Sequence, residues 1–102
     1  MQLNTKIFHT PSGPVEGIQT KWEGFSILLV TGSKGFLACP AIDVESCQGY
    51  GAAAALVEST RGNPIGTLER FPDRKITKLN EKAKSLGIKQ GMLAKDAFPL
   101  IA

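Results

Sequence analysis

The sequence predicts an α+β fold: a largely antiparallel sheet, laid down mainly by residues 1–41, with two or three helices packed on it. Three observations carry that expectation. Apolar and polar residues alternate with a period of two along "LNTKIFH", Leu3 to His9. Two apolar runs, "FSILLVT" and "FLACPAI", flank a short glycine-bearing link, the pattern of a hairpin. After Ile42 the alternation gives way to helix-start signals and to apolar residues at three- and four-residue steps.

Taken in order, the first strand puts Leu3, Thr5 and Ile7 on one face, and "TPSGP" then breaks any ladder. "VEGIQTKW" is a second, weaker strand. Phe25–Thr31 is apolar enough throughout to be covered on both faces. Its partner runs from Phe36 to Ala41. Pro40 has no N–H to donate, so that strand ends there or lies at an edge. "DVESCQG" predicts a short helix, with Asp43 as its cap and Gly49 closing it. "AAAALVES" stays open between helix, which alanine favours, and a buried strand of small side chains. "TRGNPIG" is a loop and "TLERF" one helical turn. "DRKITKLNEKAKSLG" predicts a helix over 73–87, capped by Asp73 and ended by Gly87, with Ile76, Leu79, Ala83 and Leu86 on one face and lysines on the other. A last helix near Lys95–Ile101 should begin at Lys95 or Asp96. Pro99 then falls in its first turn; in a helix interior it would cost about 3 kcal/mol.

A chain of 102 residues is one domain, 1–102, able to bury roughly 60–70% of its unfolded surface. With 42% apolar and 21% charged residues it has a globular composition, not a disordered one. No apolar run approaches the roughly 18–20 residues that span a bilayer. "MQLNTKIFHT" lacks the basic-then-apolar order of a signal peptide. The expectation is a cytoplasmic protein without a membrane partner. The net charge of +3 is uneven: three lysines face four acids up to Gly51, and nine basic residues face five acids beyond it. That asymmetry admits an anionic partner but lacks the dense Lys/Arg clustering of a nucleic-acid domain. So short a chain cannot cover both faces of the sheet. The simplest cover is a second copy, and self-association through the β region is therefore expected.

Candidate chemistry centres on Cys39. A reactive thiol needs a cation, a helix N-terminus or a base beside it. Cys39 stands just before the helix that Asp43 should cap, and Asp43 itself is a candidate base or orienting group. The commoner role of a cysteine in an apolar strand is packing. His9, the single histidine, would be the base of a cysteine hydrolase only if the fold or another subunit brought it to Cys39. Lys75, Lys78 and Lys82, with Lys89 beyond, form a candidate anion-binding face of the predicted 73–87 helix; a solvated helix face is the commoner reading. Two cysteines and one histidine fall short of the four close-spaced ligands of a structural zinc site, so no metal is expected. "GYGAAAA" lacks the preceding strand of a dinucleotide fingerprint, and no phosphate loop of the Walker type is present, so no cofactor is identified.

Two longer motifs carry a resemblance. "KGFLACPAIDVES" supplies Gly35, Phe36, Cys39, Asp43 and Val44, and "KAKSLGIKQGMLAKDAF" supplies Ala83, Leu86, Gly87, Ile88, Gly91 and Met92. From roughly Phe25 onward the chain resembles the YunC-like family of small bacterial and archaeal proteins, domain of unknown function 1805. The resemblance implies an N-terminal β region that builds a tetramer, a strand at "AAAALV", and no established activity. Pro40 stands where the family has glycine, so no amide at position 40 is available to an oxyanion. "ESTRGNPIG" is longer than the family's turn, so no role carries over to Arg61.

Overall fold

The computed structural model describes residues 1–102. Three antiparallel strands in succession, β1 (Gln2–Thr10), β2 (Gly13–Trp22) and β3 (Phe25–Thr31), form a meander. The β2–β3 turn is only Glu23–Gly24, with Gly24 at φ +79°, a left-handed conformation that glycine takes without strain. A short strand β4 (Phe36–Ala38) pairs antiparallel with β3, which is the predicted hairpin. Helix α1 (Val44–Gly49) then crosses over, and β5 (Ala54–Val57) returns parallel to β4. A 3₁₀ helix (Leu68–Asp73) leads into β6 (Ile76–Leu79), followed by α2 (Glu81–Ser85) and α3 (Ala94–Ile101). The six strands lie in sequence order in one sheet, with β4–β5 its one parallel pair. This is the α+β architecture expected, with "AALV" a strand and "LERFPD" a 3₁₀ helix. No helix is long and apolar enough to cross a membrane.

The inner face of the sheet holds the core. Val15, Leu28, Val30, Leu37, Ala55 and Val57 are buried there against Ile65, Leu68, Phe71, Ile88, Ala97, Phe98 and Ile101. β1 alternates as predicted but in the opposite sense. Phe8 turns inward to meet Phe98, ring centroids 5.0 Å apart, and leaves Leu3 and Ile7 outward. Gly17 in mid-β2 permits this, because a Cβ there would stand 2.9 Å from the Phe8 ring and 3.1 Å from Leu68. Phe25–Thr31 is covered on its inner side only: Leu28 and Val30 are buried, while Ile27 and Leu29 stay half-exposed.

The predicted helix over 73–87 is not formed as one element. Residues 76–79 are strand β6, and only Glu81–Ser85 is helical. Ile76 and Leu79 satisfy a helical three-residue step, but β5 is buried and needs a neighbour on each side. β6 supplies one, and residues 91–94 cover part of β6's outer edge: Ile76 N–H donates to Met92 O (2.8 Å) and Ala94 N–H to Arg74 O (2.7 Å). Asp73 ends the 3₁₀ helix, and the cap of α2 is Asn80. Gly87 does follow the helix, at φ +96°. Helix α3 begins at Ala94, earlier than expected. Pro99 therefore lies in its second turn, where it has no N–H to donate to the carbonyl four residues before it.

Asn80 marks the break between β6 and α2, and its buried amide uses all four of its hydrogen-bonding positions. Nδ2 donates to Val44 O and Ala52 O, both at 2.9 Å. Oδ1 accepts from Ala54 N–H (3.2 Å) and from Ala83 N–H (2.9 Å), the latter being the helix cap. Asn80→Ala removes the cap and strands buried backbone groups in three segments. A loss of about 3 kcal/mol is expected, read by urea unfolding. A loss under about 1 kcal/mol would contradict this role.

Candidate functional site

β4 stops at Ala38, one residue before Cys39, because Pro40 cannot extend the ladder. Cys39 N–H still donates to Leu28 O (3.0 Å), and Cys39 O accepts from Ile42 N–H (3.2 Å), so the chain turns sharply away there. That turn leaves Cys39, 6% exposed, beside Leu28 in a cleft of about 660 Å³ at the β2–β3 turn end of the sheet. One wall is the hairpin tip with Lys21, Trp22, Phe25 and Ser26. Pro40 and Ala41 form a second. The third comes from the long loop after β5, through Ser59, Arg61, Pro64 and Gly66.

The loop wall is fixed from behind. Arg74, 8% exposed, donates Nη1–H to Asn63 O (2.9 Å) and Nη2–H to Pro64 O (2.6 Å) and to Asn63 Oδ1 (3.2 Å). No carboxylate pairs with it; its protein partners are two backbone carbonyls and one side-chain carbonyl. Buried Gln19 donates from Nε2 to Gly66 O (2.9 Å). Ser59 Oγ accepts from Ile65 N–H (3.1 Å), and the Ile65 side chain is fully buried. The ten-residue loop 58–67, which would otherwise wander, is thus tied at Ser59, Asn63, Pro64, Ile65 and Gly66.

Of the predicted residues, Cys39 alone lines this cleft. Asp43 is absent from its walls. It caps α1: Oδ1 accepts from Glu45 N–H (3.0 Å) and Ser46 N–H (3.3 Å), and Oδ2 from the Ser46 hydroxyl (2.9 Å). These bonds hold its carboxyl below the usual 3.8, the Ser46 hydroxyl contributing most. His9 lies on β1 opposite Pro14, beside a separate hollow lined by Pro72 and Phe98, and does not meet Cys39 within the chain. Cys47 is half-buried on α1, and both thiols are free. The lysine face shares the fate of its helix. Lys75 precedes β6, Lys78 is on β6 and pairs with Glu45 (3.4 Å), and Lys82 is on α2. Of the residues that shape the cleft, Arg74 and Gln19 are not singled out from sequence, and Arg61 is named there only to be assigned no role. Gln19 alone left a signal, as a polar residue in the inward series Val15, Gly17, Gln19.

A family model, Domain of unknown function (DUF1805), matches residues 38–101, more than half of the chain. The match opens beside Cys39 and includes Arg61, Arg74 and Asn80. The chain is also similar to a crystal structure of a protein of unknown function, TA1206 from Thermoplasma acidophilum. That likeness has a TM-score of 0.83 at 17% identity, over 99% of this chain and 94% of that one. At such identity it shows the fold alone. No curated protein matches the chain.

The Asp43 bonds set a pH dependence. A carboxyl with a lowered folded pKa stabilises fully above its ordinary value, and that contribution fades as pH falls through the lowered one. Carboxyl NMR should place the Asp43 midpoint below 3.8. The stability difference between the wild type and Asp43→Ala should hold at neutral pH and close as pH falls through that midpoint. A midpoint at or above 3.8 would be inconsistent with the capping geometry.

Proposed function

The chain belongs to the DUF1805 family, a domain of unknown function, and on that premise we propose that it works as a self-associating protein whose copies pack through the outer face of β1–β3. One observation carries this reading: large apolar side chains stand exposed along the meander's outer side. Leu3 is 62% exposed, Ile7 48%, Trp22 40% and Phe25 50%. The pairing register sets them on one face with half-exposed Ile18, Ile27 and Leu29, and no residue of this face of β1–β3 is buried. An apolar surface of that continuity marks an interface more often than free surface. β1 adds an open nine-residue edge, a ready template for a further strand. The number of copies follows from the family resemblance, which implies a tetramer.

Light scattering at micromolar concentration should return a mass near four times the 10.9 kDa of one chain. Leu3→Glu with Ile7→Glu should lower that mass while leaving the far-ultraviolet circular dichroism unchanged. A wild-type monomer would overturn the reading.

The position of Cys39 in the cleft favours a second reading, a thiol-based site. Its cysteine lies among Lys21 and Arg61 rather than beside Asp43. On this reading iodoacetamide labels Cys39 faster than the more exposed Cys47, and faster than a free thiol, at neutral pH. Labelling of Cys39 only after denaturation would end it.

A further inference from the structure

We infer that the Cys39 cleft is a binding site for a small organic anion: a phosphate or carboxylate carried on a planar apolar body, its charge held by Arg61. The charged side chains on the walls are Lys21 and Arg61, both cationic, with no acid among the lining residues. The ion pairs of the chain are Lys6–Glu69, Lys78–Glu45, Lys84–Glu81 and Lys95–Asp73. Neither cleft cation therefore has a carboxylate within 4 Å, and each is free to meet a charge brought from outside.

The apolar part of the ligand follows from the other walls. Leu28 and Cys39 make a buried, uncharged surface that an inorganic anion would leave unfilled. Trp22 and Phe25 stand edge to face, centroids 5.3 Å apart at 65°, and both remain partly open to solvent. Such a pair offers a flat aromatic frame the area and edges it packs against. The volume of about 660 Å³ suits a metabolite of modest size and is far larger than one ion needs.

Arg61 is also presented from a fixed support. It sits within the turn closed by Thr60 N–H to Asn63 O (3.3 Å) and Asn63 N–H to Thr60 O (3.2 Å). Arg74 holds the Asn63 end of that turn from the protein side. The cost of ordering the loop has been met on folding, so less of the binding energy is spent on it. Trp22 and Phe25 also belong to the outer face through which copies are proposed to pack, so their cleft side must stay open in any assembly.

Trp22 is the single tryptophan, so its indole N–H gives one resonance in a ¹H–¹⁵N spectrum and reports on the cleft directly. The full chain is titrated with adenosine 5′-monophosphate and with 2-naphthoate, and in parallel with their neutral counterparts adenosine and 2-naphthamide. At least one anion should shift the resonance saturably at millimolar concentration or below, which tells a phosphate from a carboxylate ligand. Its neutral counterpart should bind roughly tenfold more weakly or worse. Arg61→Ala should weaken the anion by about tenfold and leave the neutral compound unchanged, while Lys95→Ala changes neither. Light scattering on the same samples separates a ligand effect at Trp22 from a change in association. The inference is overturned if neither anion moves the resonance, if a neutral counterpart binds as tightly, or if Arg61→Ala has no effect.

Discussion

Four hydrogen bonds to the Asn80 amide hold together segments that are distant in sequence. They join the start of α1, the approach to β5 and the first turn of α2. The one parallel connection of the sheet runs through this point. A parallel pair cannot be closed by a tight turn, so the chain must leave the sheet after β4, turn over α1 and come back in register. Asn80 fixes where it comes back. Its Oδ1 accepts from Ala54, the first residue of β5, and β5 is the strand that carries the fully buried Ala54, Ala55 and Val57. A one-residue slip there would turn those side chains to the wrong faces. The buried amide thus specifies register as much as it adds stability.

The same residue explains what the sequence conceals. Ile76, Leu79, Ala83 and Leu86 fit a helical stripe, and the lysines between them complete the appearance of a solvated face. A three-residue apolar step is ambiguous over four residues, and Asn80 in mid-pattern is the clue that a cap, not a helix interior, lies there. The features that did read clearly were local ones. The β3–β4 hairpin, the Asp43 cap and the glycine after α2 each depend on a few adjacent residues. The sense of β1 was not legible, because Leu3–Ile7 and Phe8 are both credible core candidates until Gly17 and Phe98 are placed. The cleft was legible only at Cys39. Its other walls come from residues about 15 before and 20 after that cysteine, and the buttress of its loop is a buried arginine with no acid partner to betray it.

The open sheet face and the cleft meet at one place. Trp22 and Phe25 close the β2–β3 hairpin, stand on the outer side of the meander and also form the rim of the Cys39 cleft. Lys21, between them and Gln19 in sequence, points to the other side of the sheet by strand alternation. Arg74, Gln19 and Ile65 then keep the opposing loop at a set distance. Two surfaces with different chemistry, one apolar and flat, one concave and cationic, therefore share a two-residue border.

The order of the strands has a further consequence for synthesis. β1, β2 and β3 pair in succession, so the ladders within this ribbon can close before Phe36 leaves the ribosome, and only the far edge of β3 waits for β4. Its inner face is not covered so soon. Val15, Leu28 and Val30 wait for Ile65, Phe71 and Phe98, which emerge tens of residues later. For that interval the nascent ribbon is greasy on both sides and has an unguarded edge, the condition under which chains aggregate. The stretch of synthesis between β3 and α3 is therefore the stage at which the unfinished chain is most open to aggregation.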